Sequence, residues 1–220
     1  MRKNFFLLLF IFIFFQPAYS HYQWIVWQTE NSVKNNEVSF MIGCGHRFPK
    51  SELLLKRDMI TGIQLRNREL KRSVEIFRDG KFWEGSAGLS GEDSFIIEYT
   101  LRKRLTSAPF FRGRMVVCSE GCKKGDLQIF TGKGIEIIPN DIFFKKQFDY
   151  LNLKTFKAGK LISAKLTIIP EGKKPLYMHS GREGTCRIKL KYSGRYLINT
   201  FYKGEGASLT FYVKNANKIP

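Results

Sequence analysis

Gly184-Thr185-Cys186-Arg187-Ile188-Lys189-Leu190-Lys191-Tyr192-Ser193-Gly194-Arg195-Tyr196-Leu197-Ile198 reads as a strand, a turn and the start of a second strand. Cys186, Ile188 and Leu190 alternate with Arg187 and Lys189, the period of two that turns one face of a strand inward and the other to water. Tyr192-Ser193-Gly194 reverses the chain, with glycine supplying the positive φ that a tight turn needs. Upstream, Ala158-Gly159-Lys160 leads into a long alternating strand, Leu161–Ile169, and the turn Pro170-Glu171-Gly172-Lys173-Lys174-Pro175 follows it. Together these pieces make a small Greek-key module.

The same grammar extends over the rest of the chain. Helical periodicity is nearly absent, and short β-branched and aromatic runs recur between Gly, Asn, Asp and Ser turns. Strands are expected at Gln23–Gln28, Glu37–Ile42, Gly62–Arg66, Ser94–Leu101, Arg114–Cys118, Leu127–Phe130 and Gly134–Ile138. Beyond the seam they are expected at Leu161–Ile169, Thr185–Leu190, Arg195–Tyr202 and Ser208–Val213, with Asn140–Asn152 as a polar loop. Met59–Phe77 has a charged middle that mimics a helix, but the apolar residues Val74, Ile76 and Phe82 favour strands. The expected fold class is all-β: two β-sandwich domains, Ig-like or transthyretin-like. A seam at Thr131–Gly134 divides them into residues 21–130 and 131–220.

The start of the chain has a separate reading. Arg2 and Lys3 precede an unbroken apolar run, Phe5–Phe15, and then Gln16-Pro17 and Ala18-Tyr19-Ser20. A charged n-region, a short h-region and a small-residue cleavage site describe a secretory signal peptide, residues 1–20. The run falls short of the roughly 20 apolar residues of a membrane span. Cleavage after Ser20 makes His21 the new N-terminus, and with no Cys beside the cut a lipid anchor is not expected. A periplasmic protein without stable membrane insertion is the expectation.

Hydrophobic content of 43% excludes a disordered chain. The 37 Lys+Arg against 19 Asp+Glu would suit nucleic acid, yet an exported protein rarely meets it. An anionic envelope surface fits such a charge better, and a solvated lysine-rich surface explains it most simply.

Three histidines occur in the chain. His21, once terminal, carries an imidazole and a free α-amine that can chelate one ion, and a divalent metal displaces protons from both near neutral pH. His46 lies in the turn Gly43-Cys44-Gly45-His46-Arg47-Phe48-Pro49. If Gln23–Gln28 and Glu37–Ile42 pair as a hairpin, His21 and His46 fall at the same end. Three nitrogens suit Ni(II), Co(II) or Cu(II) better than Mg or Ca. His179, in Tyr177-Met178-His179-Ser180-Gly181-Arg182-Glu183, offers either a further nitrogen or a turn cap.

Order and spacing carry a family resemblance. An initial His and an early strand are followed by a Gly-His-x-Phe turn, here Gly45-His46-Arg47-Phe48. Then come Lys133-Gly134-Ile135-Glu136-Ile137-Ile138-Pro139 at the seam, the Gly184–Ile198 stretch, and a last strand, Ala207–Lys214. Nearly the whole mature chain resembles the DUF4198 family of periplasmic proteins, related to the nickel-transport component called NikK or NikM-like. The resemblance implies a non-enzymatic nickel- or cobalt-binding protein of two β-sandwiches, assisting uptake through a membrane metal transporter or outer-membrane receptor. It also implies a metal site at His21, with His46 as the matching turn histidine. In the family that turn reads Gly-His-Pro-Phe-Glu; here Arg47 replaces the Pro and Pro49 stands in place of the acidic residue. A cation and no carboxylate are therefore expected beside His46.

The four cysteines of an exported chain suggest disulfides. Cys118 and Cys122 enclose a short loop, and by elimination Cys44 would pair with Cys186. The other reading makes Cys44 a thiolate ligand near His46. No Gly-x-Ser-x-Gly, phosphate loop or paired-carboxylate constellation marks an enzyme. Two further readings stay open: a copper oxidase of the polysaccharide-monooxygenase type, which also uses an N-terminal His, and a metal-free adhesion or binding module.

Overall fold

Alternation along the sequence becomes strand after strand in the computed structural model, which describes residues 21–28, 33–34, 37–67, 69–89, 94–103, 109–118, 128–141 and 150–213. The expected signal peptide and Cys122 lie outside the described residues. Before the seam run β1 (Tyr22–Trp27), β2 (Val33–Lys34), β3 (Glu37–Gly45), β4 (Ile60–Arg66), β5 (Lys71–Ser73), β6 (Phe77–Asp79), β7 (Phe82–Gly88), β8 (Ser94–Arg102) and β9 (Pro109–Cys118). After it come β10 (Ile135–Asp141), β11 (Tyr150–Lys157), β12 (Lys160–Leu161), β13 (Lys165–Pro170), β14 (Leu176–His179), β15 (Thr185–Lys189), β16 (Gly194–Tyr202) and β17 (Glu205–Val213). The fold is all-β, with a single 3-10 turn at Arg57–Met59 among the described residues. No helix among them is long and apolar enough to cross a membrane.

Three sheets result. The largest has eight strands in the order β14-β13-β16-β17-β9-β8-β4-β5. A five-stranded sheet runs β1-β3-β7-β6, with β2 also on β3, and a four-stranded one runs β10-β11-β12, with β15 on β11. The eight-stranded sheet belongs to both halves of the chain. They meet at the parallel pair β9–β17, in register from Phe111↔Gly206 to Met115↔Thr210, whereas the other ladders are antiparallel. One continuous sheet thus draws strands from both sides of residues 131–134, with a smaller sheet packed on each of its faces.

Strand parity decides which face each small sheet covers. Phe95, Ile97, Met115 and Val117 join Ile25, Phe40 and Ile42 in one core, under the five-stranded sheet. Their neighbours Ile96 and Val116 join Leu151, Ile188, Ile198 and Leu209 in a second core, on the opposite face. A third, smaller cluster ties the halves together: Trp24 and Val26 of β1 pack with Phe48, Ile169 and Leu197. Both faces of β1 are therefore buried, Ile25 toward the first half and Trp24 toward the second. Gly43, opposite Trp24 in the ladder, is required there, since a Cβ would stand 2.6 Å from the indole Nε1.

Some expected elements differ. Leu127–Phe130 is not a strand over its described residues; Ile129 turns its carbonyl to Arg114 Nη1 (3.1 Å) instead of to a neighbouring strand. Leu161–Ile169 is two strands in two sheets. The crossing at Ile162–Ala164 is fixed by hydroxyls, with Thr155 donating to the Ile162 carbonyl (2.6 Å) and Ala164 N donating to Ser180 Oγ (2.8 Å). The polar loop Asn140–Asn152 is shorter than expected, because β10 and β11 take both its ends.

Where β9 meets β10, a charged network is buried. Arg114 Nε donates to Glu98 (3.0 Å) and Arg114 Nη2 to Glu136 (2.7 Å), while Arg66 completes Glu98 (2.9 Å). Arg112 reaches Glu136 (3.3 Å) and Thr131, and Glu136 also accepts the Thr131 and Gly132 amides (3.1 and 3.0 Å). Buried charge is tolerated only when paired and hydrogen-bonded in this way. Burial alone would raise Glu98, but Arg114 and then Arg66 hold it below the ordinary carboxylate range. Glu136 of the Gly-x-Glu-Ile stretch is thus the knot of the seam.

Candidate metal centre

The first strand and the end of the third bring two histidines together. β1 and β3 pair with Tyr22 opposite Gly45 as the end of the ladder, and His21 and His46 lie one residue beyond it on each chain segment. Their ring centroids are 4.4 Å apart at an interplanar angle of 47°. The Tyr22 ring stands edge-on to His46 at 6.2 Å.

The turn after His46 supplies what the sequence appeared to lack. Phe48–Pro49 is a cis peptide, and Lys50 N donates to the Arg47 carbonyl (2.6 Å). The chain doubles back on β3: Ser51 Oγ accepts the Cys44 amide (3.0 Å), and the Glu52 and Leu53 amides both reach the Cys44 carbonyl (2.9 and 3.1 Å). Glu52 is thereby placed beside His46. Its Oε2 accepts the His46 backbone N–H at 2.7 Å and lies 3.3 Å from Nδ1. The approach needs Gly45, whose added Cβ would meet Glu52 Oε2 at 2.8 Å. Arg47 is 83% exposed and pairs with the other carboxylate oxygen at 3.6 Å. The His46 amide hydrogen bond, opposed by some desolvation and aided by the imidazole and Arg47, holds Glu52 below the usual carboxylate range. The expectation of a carboxylate-free turn is corrected: the acid comes from Glu52, and the Arg47 charge is spent on it.

The remaining expected residues fall elsewhere. His179 ends β14, exposed and opposite Lys165 in the ladder. Tyr177 of the same strand is exposed and stands opposite Thr167 in the ladder. Burial, then the Tyr177 hydroxyl, raise the Tyr22 phenol above its ordinary range. Cys44 sits one rung inward, opposite Gln23; burial pushes its thiol up to about 11, with Gln23 partly offsetting this. Its thiol is protonated at neutral pH, so a metal would have to displace that proton to take the sulfur as a ligand. Cys44 does not pair with Cys186. Both are buried free thiols, one in the five-stranded sheet and one in the four-stranded sheet, on opposite sides of the central sheet. Among the described residues no three His, Cys, Asp or Glu side chains converge as a metal cage. Two imidazoles and one orienting carboxylate are what side chains alone provide.

No protein-family model matches the chain, and no curated protein matches it in sequence. Solved structures similar to it include the central fibronectin-III array of RIM-binding protein: 10% identity, 91% of this chain, 71% of that chain, TM-score 0.27. Another is the three-domain Ig ectodomain of mouse nectin-like molecule 4, at 10% identity, 90% of this chain, 65% of that chain and TM-score 0.26. Both are chains of β-sandwich modules. At these scores neither topology nor function is taken from them.

Proposed function

We propose that the mature chain is a non-enzymatic periplasmic metal-binding accessory protein for nickel or cobalt uptake. The ion is held by the α-amine and imidazole of His21 and the imidazole of His46. The observation that supports this most is the 4.4 Å separation of the two rings at the expected processed terminus. The donor set fits the ion: Glu52 Oε2 stands 3.3 Å from His46 Nδ1, placed to accept its N–H, fix the ring and leave Nε2 as the free donor. Nitrogen ligands of this kind favour late divalent metals. The DUF4198-like order of motifs supports the same reading, with delivery to a membrane metal transporter or outer-membrane receptor.

Calorimetric titration of Ni(II) into protein beginning at His21, and into protein with one Ala preceding it, tests this. The extra residue is expected to weaken binding at least about tenfold by removing the chelating amine. Equal affinities would sink the proposal. A copper-oxidase reading has Tyr22, edge-on to His46 at 6.2 Å, in its favour, and copper-dependent oxidation of a polysaccharide by the mature protein would support it.

A further inference from the structure

A cleft of about 260 Å³ opens where β9, β10, β11 and β17 meet, walled by Phe110 and Phe111 and rimmed by Arg112, Lys133, Lys157 and Glu205. Pockets for small molecules are commonly found at such domain junctions, apolar with a few placed polar groups.

The charge here is not balanced. Arg112 belongs both to the cleft and to the buried network, in which three guanidiniums face two carboxylates. Lys157 pairs with Glu205 at 3.2 Å, while Lys133 at the mouth is exposed. Among the described residues, network and rim together hold five cations and three carboxylates. Burial, then the neighbouring Arg114, disfavour the charged form of Arg112, while Glu98 and Glu136 favour it. The apolar wall is equally fixed: a Cβ at Gly206 would come within 2.6 Å of Phe111 and Phe201, so glycine there lets the rings close the floor.

We propose that this cleft binds a small organic carboxylate with a flat apolar body, the carboxylate toward Arg112 and Lys133 and the body against Phe110 and Phe111. Guanidinium and ammonium donors to a carboxylate are charge-assisted and gain strength at a partly dehydrated site. The apolar wall distinguishes such a ligand from an inorganic oxyanion.

Benzoate, benzamide and inorganic phosphate, titrated separately into metal-free mature protein and followed by amide NMR, test the assignment. Benzoate is expected to saturate, with shifts centred on Lys133, Gly134, Lys157 and Gly206, and benzamide to bind at least about tenfold more weakly. Lys133→Glu should weaken benzoate by at least about tenfold, while the remote turn variant Lys173→Glu should leave it unchanged. Benzamide or phosphate matching benzoate, shifts scattered over surface lysines, or an indifferent Lys133→Glu would each overturn the proposal. No metal enters the experiment, so its result is independent of the His21–His46 reading.

Discussion

One carboxylate oxygen of Glu52 serves both nitrogens on the same side of His46, the backbone N–H at 2.7 Å and Nδ1 at 3.3 Å. It fixes the position of the residue and the orientation of its ring together. Glu52→Ala should therefore lower Ni(II) affinity by about 10–100-fold, the usual cost of losing an orienting partner. The circular dichroism spectrum should be unchanged, because Glu52 lies on an exposed turn. His46→Ala should remove more. Equal affinities for wild type and Glu52→Ala in calorimetry would refute the orienting role.

Gly43 gives a sharper probe of how β1 is held. Gly43→Ala pushes a methyl onto the Trp24 indole, and overpacking of this kind costs about 1–3 kcal/mol. Urea unfolding should report that loss, and tryptophan emission should shift red as Trp24 leaves the bridging cluster.

The seam network should respond to removal of its knot. Glu136→Ala leaves Arg112 and Arg114 without a shared partner and is expected to cost about 3–5 kcal/mol. A cost below about 1 kcal/mol in chemical denaturation would mean that water replaces the carboxylate.

Acid should loosen the join between β1 and β16. Arg195 donates to Glu171 (2.8 Å) and to the Trp27 carbonyl (3.1 Å), and its hydrogen bonds hold Glu171 below the ordinary value of 4.5. The folded state is thus the weaker proton binder. The stabilisation is fully present above pH 4.5 and is lost as pH falls through the lowered folded value. Glu171→Gln should remove that part of the acid dependence, about 1 kcal/mol or less for a partly exposed pair. Urea midpoints measured on both sides of that range would show it.

Tyr99 reverses the usual direction of a core substitution. Its hydroxyl is buried without a hydrogen-bond partner among the described residues, as are polar atoms of Asn199, Ser208 and Thr210. Tyr99→Phe removes that group while keeping the ring over Gly113, where no Cβ would fit. Stability should stay level or rise by about 1–3 kcal/mol; a fall in the thermal midpoint would reveal an ordered partner for the hydroxyl.

Local pattern carried most of the strands and the end-to-end meeting of His21 and His46, because alternation and hairpin register are short-range properties. It could not show that β9 and β17 lie side by side. That pairing joins Phe111 to Gly206 and leaves no periodic trace in either strand. Glu52 was missed for a different reason: a turn that folds back through Ser51 moves a charge from an unremarkable position to the side of a histidine. Glu136 belonged to a recognisable stretch, but its role depends on Arg112 and Arg114, which sit in a strand distant in sequence.

The bridging cluster also makes the first strand depend on the far end of the chain. Trp24 and Val26 rest on Phe48 of the adjoining turn and on Ile169 and Leu197, residues distant in sequence. A chain truncated before β16 would lack Leu197 and leave part of that face of β1, one strand from His21, uncovered.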